Sequence, residues 1–245
     1  MCEHVVARAS QPFALGRLWE VVEGLERFGL GGWGWGAAWT TGDGRLAVHR
    51  DPGTFRDDPA TGELAAVETT SVLVHLRRPS RLGTVGLADT QPFLDPAGRF
   101  AFSHNGDLRD YHAMRTRYLA AGRIQGRADS EVGQRWLEDH WADHDDATLA
   151  LATMHDRFDG QANLMALGAD GEAHVYAGNT ENPVFTYRLG AIGLASTGIY
   201  SLDRSLFRFV APGARSRRVV HPGHGITLGA DGSPHAPPRE LRVAT

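Results

Sequence analysis

Two hydrophobic periods occur in this chain, and the order in which they occur constrains its fold more than any other feature. Strand-like runs come first: Glu3 to Ala7, the pair Trp35 to Thr41 and Arg45 to His49 around Gly42-Asp43-Gly44, and the β-branched run Thr69 to Leu76. A further strand is expected at Phe100 to Ser103. The middle of the chain turns helical, with Leu108, Tyr111, Arg115, Tyr118 and Leu119, then Val132, Trp136, Leu137 and Trp141, then Ala147 to His155. Strand signals return at Asn163 to Leu167, Ala173 to Ala177, Val184 to Tyr187, Ala191 to Ala195, Arg217 to Val220 and Gly225 to Leu228, with Asp170-Gly171 and Asp231-Gly232 at hairpin turns. One early helix is expected after Ser10 and Pro12, carried by Leu15, Leu18, Val22 and Leu25, and Asp51 to Gly62 reads as a surface loop. Blocks of strands and helices, in place of a βαβ alternation, predict an α+β fold with sheets and helices in separate layers. The 245 residues, with no break in composition, are expected to form a single domain, 1–245.

The chemistry available to such a domain is narrow. The chain has no lysine, which removes Schiff-base catalysis and the phosphate-binding lysine of a P-loop. A net charge of -4 gives no footprint for nucleic acid or an anionic membrane. No apolar run approaches the ~20 residues of a membrane span, and Met1 to Ser10 lack a signal-peptide layout. Cys2 is the lone cysteine, so no internal disulfide forms and a reducing, cytoplasmic setting is expected.

Cys2 also follows the initiator methionine directly. Removal of Met1 would leave a thiol and a free α-amine on one residue, with unperturbed pKa values of about 8.5 and about 7.7–8.0, so the amine could accept the thiol's proton near neutrality. Three other segments bear on what such a nucleophile would attack. Arg77 closes the run Thr69 to Leu76, either as a surface cation or as a fork for a substrate carboxylate. Asn105-Gly106 is either a tight turn or a pair of donors for an oxyanion, one from the Asn105 amide and one from the Gly106 N–H. Asp129 opens a helix, where it either caps the helix or meets a ligand ammonium while Ser130 caps in its place. A thiol, two oxyanion donors, a cation and an anion together describe an α-amino acid attacked at a distal carbonyl, and glutamine or a γ-glutamyl amide fits.

Met1-Cys2, the His-x-Arg-x-x-Ser segment His75 to Ser80, Gln91-Pro92-Phe93 ahead of His104-Asn105-Gly106, and Ala128-Asp129-Ser130-Glu131 resemble the class II glutamine amidotransferase family in kind and in order. The resemblance runs from Cys2 to about Ser196. It implies the N-terminal-nucleophile hydrolase fold, a four-layer αββα sandwich, and hydrolysis of glutamine's amide through a thioester to glutamate and ammonia. It also implies that Cys2 is the nucleophile, that Asn105 and Gly106 form the oxyanion hole, and that Arg77, Ser80, His104 and Asp129 lie in the substrate site, with Arg77 on the α-carboxylate and Asp129 on the α-amine. No cofactor and no metal are implied. The substrate would be a small glutamyl compound, and one partner this implies is a synthase subunit accepting the ammonia. Alternatives are removal of glutamate from a γ-glutamyl intermediate, as in the ergothioneine-pathway members of the family, and a non-catalytic glutamine-binding module. The family's Arg-Trp-Ala-Thr is Arg77-Arg78-Pro79-Ser80 here, and its His-Pro is Gln91-Pro92, changes that bear on pocket shape.

Three other signals are expected to be structural. Gly29 to Gly34 spell Gly-x-Gly-x-x-Gly but follow a helix and precede a strand, the reverse of dinucleotide-binding order, and read as a loop near the site. His140 and His144, among Asp139, Asp143, Asp145 and Asp146, read as a solvated acidic face. Arg215, Arg217 and Arg218 read as a small solvated basic cluster.

Overall fold

The computed structural model describes residues 2–29, 31–144, 146–198 and 204–240. Its first strand, β1 (Glu3–Ala14), lies at the centre of one sheet, and β2 (Trp35–Thr40), β3 (Leu46–Asp51) and β4 (Glu68–Leu76) join it there. A second sheet is built from β5 (Phe93–Leu94), β6 (Phe100–Leu108), β7 (Gly160–Gly168) and β8 (Ala173–Gly178). The chain then returns to the first sheet with β9 (Val184–Leu189), β10 (Ile192–Ser196) and β11 (Arg215–Val220), and closes on the second with β12 (His224–Leu228) and β13 (Pro234–Glu240). The orders are β11-β9-β10-β1-β4-β2-β3 and β13-β12-β8-β7-β6-β5, and all the described pairings are antiparallel.

Helix α1 (Trp19–Gly29), the short α2 (Ala60–Leu64) and α6 (Arg204–Val210) belong to the first half of the packing; α3 (His112–Ala120), α4 (Asp129–His140) and α5 (Ala147–Phe158) belong to the second. Strand alternation decides which face meets which layer. On β1, Val5 and Ala7 join the cluster holding Leu18, Val22, Leu25 and Val210, whereas Val6 points the other way. On β7, Leu164 and Ala166 pack with Val132, Leu137, Leu151 and Phe158, whereas Met165 and Leu167 meet Val6, Leu73 and Ala195. The layers are therefore helix, sheet, sheet, helix, as the layered α+β reading expects.

The elements depart from the sequence reading in a few places. β1 runs through Ser10 to Pro12, which lie exposed at a register shift between Arg8 and Phe13, so the helix begins later, after a 3-10 turn at Leu15–Leu18. The expected loop 51–62 leads into α2, and the two-residue β5, β13 and α6 carry no clear period. The expected hairpins at Asp43, Asp170 and Asp231 are all present.

The largest correction concerns His104-Asn105-Gly106. These residues do not leave β6 in a turn; they pair in register with Leu164, Asn163 and Ala162 of β7, and the strand continues to Leu108. Local turn propensity loses to a full ladder against β7. The helix expected from Leu108 starts at His112, because the Leu108 N–H is taken by Asp129 Oδ2 at 2.8 Å and the Asp110 N–H by Phe158 O at 2.8 Å.

Candidate active site

Cys2, Arg77, Ser80, His104, Gly106 and Asp129 line one cleft of about 820 Å³ at the ends of β1, β4 and β6. Register explains the meeting: Glu3 pairs with Leu76 across β1 and β4, so the residues just outside that pair, Cys2 and Arg77, emerge side by side. The Cys2 sulfur accepts the Arg78 N–H at 3.3 Å. Burial pushes the thiol pKa up, opposed by the Arg78 N–H and the Arg77 guanidinium.

Arg77 is buried. Its Nη2 donates to Thr84 Oγ1 at 2.9 Å, while Nη1 is buried with no hydrogen-bond partner. Desolvation lowers its pKa, against the fields of Cys2, Asp89 and Asp129. Its backbone is fixed by the glycine-rich loop, since Arg77 N donates to Gly34 O at 2.7 Å and Trp33 N donates to Arg77 O at 3.3 Å. That loop lies beside the site, as expected, although Leu30 within Gly29 to Gly34 lies outside the described residues.

Ser80 is exposed on the cleft wall. Asp129 is the first residue of α4, and its carboxylate accepts the Leu108 N–H and, at 2.9 Å, the Ser130 N–H. Ser130 does not act as a cap. Glu131 does related work, accepting the N–H groups of Gln125 and Gly126 at 2.9 and 2.7 Å.

Gly106 has φ +139, and a Cβ there would lie 1.8 Å from Gln161 O. Only glycine lets β6 pass β7 this closely. Asn105 does not line the cleft: its Nδ2 donates to Thr197 Oγ1 at 3.2 Å, and its Oδ1 is buried without a partner. Thr197 Oγ1 also accepts the His4 N–H at 3.0 Å, so this hydroxyl ties β1 to β6 directly behind Cys2.

His104 is buried on the cleft floor with Nε2 unpartnered. Beside it, His4 and His75 face each other in register on β1 and β4, and His4 Nδ1 lies 2.7 Å from Ser103 Oγ. Burial pushes all three imidazoles down, His4 well below the usual range and His75 to about 3.

Several residues beyond the assigned set shape the site, and of these Gln91 alone carries a sequence signal, as the Gln91-Pro92 that stands for the family's His-Pro. Gln91 lines the cleft and clamps the His104 main chain, its Oε1 accepting the His104 N–H at 2.6 Å and its Nε2 donating to His104 O at 3.3 Å. Asn163, Asn179 and Asn182 lace the β8–β9 connection together: Asn163 Nδ2 donates to Asn182 O at 2.6 Å, Asn179 N to Asn163 Oδ1 at 3.1 Å, and Asn182 Nδ2 to Glu3 Oε2 at 3.3 Å. Asn163 is the register partner of Asn105, the one placement that could have flagged it.

The histidine pair His140 and His144 and the basic residue Arg217 lie away from the cleft. His140 stacks on Trp136 at 4.2 Å and its Nδ1 lies 2.8 Å from Trp136 O, while His144 lines a separate groove with Trp141 and His174. Among the described residues no three His, Cys, Asp or Glu side chains are placed to hold a metal, and Asp145 lies outside them. Arg217 is not simply solvated: its guanidinium lies 4.9 Å from the Phe185 ring and 5.3 Å from that of Phe207. Among the described residues no helix is long and apolar enough to cross a membrane.

Comparison with known proteins gives a consistent picture. Residues 27–187 match the family model of class II glutamine amidotransferases. The chain is 24% identical over 213 residues to the isomerizing glutamine–fructose-6-phosphate aminotransferase of Streptomyces coelicolor, covering 86% of this chain and 32% of that protein. The glutamine phosphoribosylpyrophosphate amidotransferase from B. subtilis, solved with ADP and GMP, superposes with a TM-score of 0.72 at 20% identity over 93% of this chain and 47% of its own. A glutamine aminotransferase class-II domain protein from Silicibacter pomeroyi superposes with a TM-score of 0.62 at 19% identity over 96% of this chain and the whole of its own. At these identities the superpositions establish a shared fold. The chain spans about a third of the curated relative and about half of the phosphoribosylpyrophosphate enzyme.

Proposed function

The chain belongs to the class II glutamine amidotransferase family, and from that premise we propose that it hydrolyses the side-chain amide of glutamine, or of a γ-glutamyl amide, through a thioester on Cys2. The observation that carries this reading is the meeting of Cys2, Arg77, Gly106 and Asp129 in one cleft from four separate stretches of sequence. In the proposed reaction the Cys2 sulfur attacks the γ-carbonyl carbon, and the thiol's proton passes through the α-amine exposed by loss of Met1 to the departing nitrogen. Water then cleaves the thioester and restores the thiol. A thiol whose pKa is pushed up needs such a base at neutral pH. Met1 itself lies outside the described residues.

Arg77 is assigned to the α-carboxylate because its buried Nη1 lacks a partner and an anion would supply one. Asp129 is assigned to the α-amine: it keeps its two backbone bonds and, as a carboxylate with about four acceptor sites, has capacity to spare. Gly106 and Asn105 are assigned to the oxyanion, and Ser80 and His104 to the wall and floor of the pocket. The matched relatives are named as an aminotransferase and an amidotransferase, so we extend the proposal to an ammonia-accepting synthase subunit as partner, in a cytoplasmic setting suited to a lone thiol.

Glutamate release from glutamine and from γ-glutamyl amides, measured alongside intact mass, tests the reading. The expected result is a protein lacking Met1 that releases glutamate, and a Cys2→Ala variant with the same fold and no turnover. A protein lacking Met1 that binds glutamine without releasing glutamate, or a Cys2→Ala variant near wild-type rate, would overturn it.

A further inference from the structure

The polar groups that hold the cleft together converge on one buried segment, Asp89-Thr90-Gln91. Successive residues of an antiparallel strand turn their main-chain N–H and C=O to opposite sides. On β6 the even-numbered residues face away from β7: Phe100 O accepts the Asp95 N–H at 2.9 Å, the His104 N–H and O are held by the Gln91 side chain, and the Leu108 N–H is held by Asp129 Oδ2. The same alternation turns the Gly106 N–H onto the cleft, between two held neighbours, and no side chain accepts it among the described residues. Pairing of β6 with β5 stops at Phe102, so Gln91 makes with its side chain the bonds that a further residue of β5 would make to His104.

Asp89 serves the opposite wall. Its Oδ1 accepts the Arg127 and Ala128 N–H groups at 2.6 and 2.7 Å, which fixes the stretch that delivers Asp129 to the head of α4. The segment is itself seated on the first sheet. Arg50 of β3 donates from Nη1 to Thr90 O at 3.0 Å, and Gln91 O lies so close to β2 that a Cβ on Gly36 would sit 2.6 Å from it.

We propose that Asp89-Thr90-Gln91 is a brace carrying two positioning residues with divided work: Gln91 aims the Gly106 N–H at the oxygen of the tetrahedral intermediate, and Asp89 sets Asp129 for the ligand's ammonium group. The proposal rests on the hydrolytic reading above and deepens it. The oxygen carries its negative charge only as the thioester forms and as it is cleaved, so a mis-aimed Gly106 N–H slows turnover whichever step is slower and leaves ground-state binding alone. The ammonium group is held in the ground state and the transition state alike, so a displaced Asp129 weakens binding and leaves the rate at saturation alone.

Two measurements read these effects separately: kcat for glutamate release from glutamine, and the calorimetric Kd of glutamine with each variant placed on the Cys2→Ala background. Gln91→Met keeps the length of the side chain without its amide. It is expected to lower kcat by about 10- to 100-fold, short of the roughly 10²–10³ that follows outright loss of an oxyanion donor, with Kd within about twofold. Asp89→Ala is expected to raise Kd by about tenfold with kcat within about twofold, and Asp89→Asn, which keeps an oxygen for both N–H groups, to restore the wild-type Kd. Gln91→Met with wild-type kcat, or with kcat lost only in step with binding, overturns the proposal, as does an Asp89→Asn chain that binds as weakly as Asp89→Ala. Should Asp89→Ala not fold, the Gln91→Met result decides alone. A wild-type chain that binds glutamine but releases no glutamate from it or from γ-glutamyl amides refutes hydrolysis and with it the work assigned to Gln91, and the Asp89 variants then decide on binding whether the brace sets Asp129.

Discussion

Mild acid should destabilise this protein through the histidines beneath Cys2. His4 and His75 are fully buried and their pKa values are pushed down, His75 to about 3, chiefly by loss of water and then by neighbouring cations and imidazoles. Above the unfolded value of about 6.5 both states are neutral and stability does not depend on these groups. Below it the unfolded chain takes up protons that the native chain refuses, so stability falls as pH falls, until pH drops through the depressed native values. Between pH 6 and pH 5 each such histidine removes about 1.2 kcal/mol, and His4 and His75 together about 2.4 kcal/mol, a large part of a typical 5–15 kcal/mol. His104, His155 and His174 are also pushed down and add loss of the same sign. Glu26, pushed up by burial, works in the opposite direction, while Asp58 and Asp95, held below the usual carboxylate range, act at lower pH. Urea unfolding followed by the fluorescence of the six tryptophans, at pH 6 and pH 5 and constant ionic strength, reads the difference. A loss smaller than about 1 kcal/mol would show that the imidazoles are protonated in the fold or reached by water, and would refute the argument.

Two substitutions test the cleft itself. Arg77→Lys keeps the charge but loses the fork that reaches Thr84 and the free side together, and kcat/KM for glutamine should fall by about 10- to 100-fold, mainly through KM; a change within about twofold in steady-state kinetics would remove Arg77 from the substrate. Gly106→Ala places a Cβ against Gln161 O in a backbone with φ +139, and should cost at least about 2 kcal/mol by chemical denaturation while parting β6 from β7; unchanged stability would mean the strands have slack.

Much of this architecture is legible in the sequence because alternation is a local signal. Val5, Val6 and Ala7 name the two faces of β1 by their order alone, and the run Thr69 to Leu76 announces a strand buried on both sides. The cleft is legible for a different reason: Cys2, Arg77 and Asp129 each admit an ordinary structural role, and it is their joint resemblance to one family, in kind and in order, that places them together. What is illegible depends on contacts between distant segments. Thr197 is an ordinary polar residue until β6 is laid beside it, the clamp of Gln91 on the His104 main chain is invisible in the Gln91-Pro92 motif, and Asn163 acquires meaning only through its register with Asn105. Asn105-Gly106 misleads because its dipeptide preference is a turn, whereas nine residues of pairing with β7 outweigh it.

That pairing also bears on how Asn105 could serve an oxyanion. The Thr197 hydroxyl has two lone pairs and one proton. Both lone pairs are occupied, by the N–H of His4 and the Nδ2 of Asn105, while the proton finds only His4 O at 3.5 Å, and Asn105 Oδ1 is left buried and unpaired. Rotating the Asn105 amide by half a turn would let Thr197 donate to Oδ1 and would free Nδ2, exchanging one unpaired atom for another. In the resting chain the two orientations are therefore close to balanced, each leaving one buried group unsatisfied at a cost of about 1–3 kcal/mol. On the proposed assignment of Asn105 to the oxyanion, a negative oxygen formed at Cys2 would favour the rotated amide, the orientation in which Nδ2 is released from Thr197 and free to donate. Since Thr197 is bonded to His4, two residues from the sulfur, the donor's orientation is tied to the strand that carries the nucleophile.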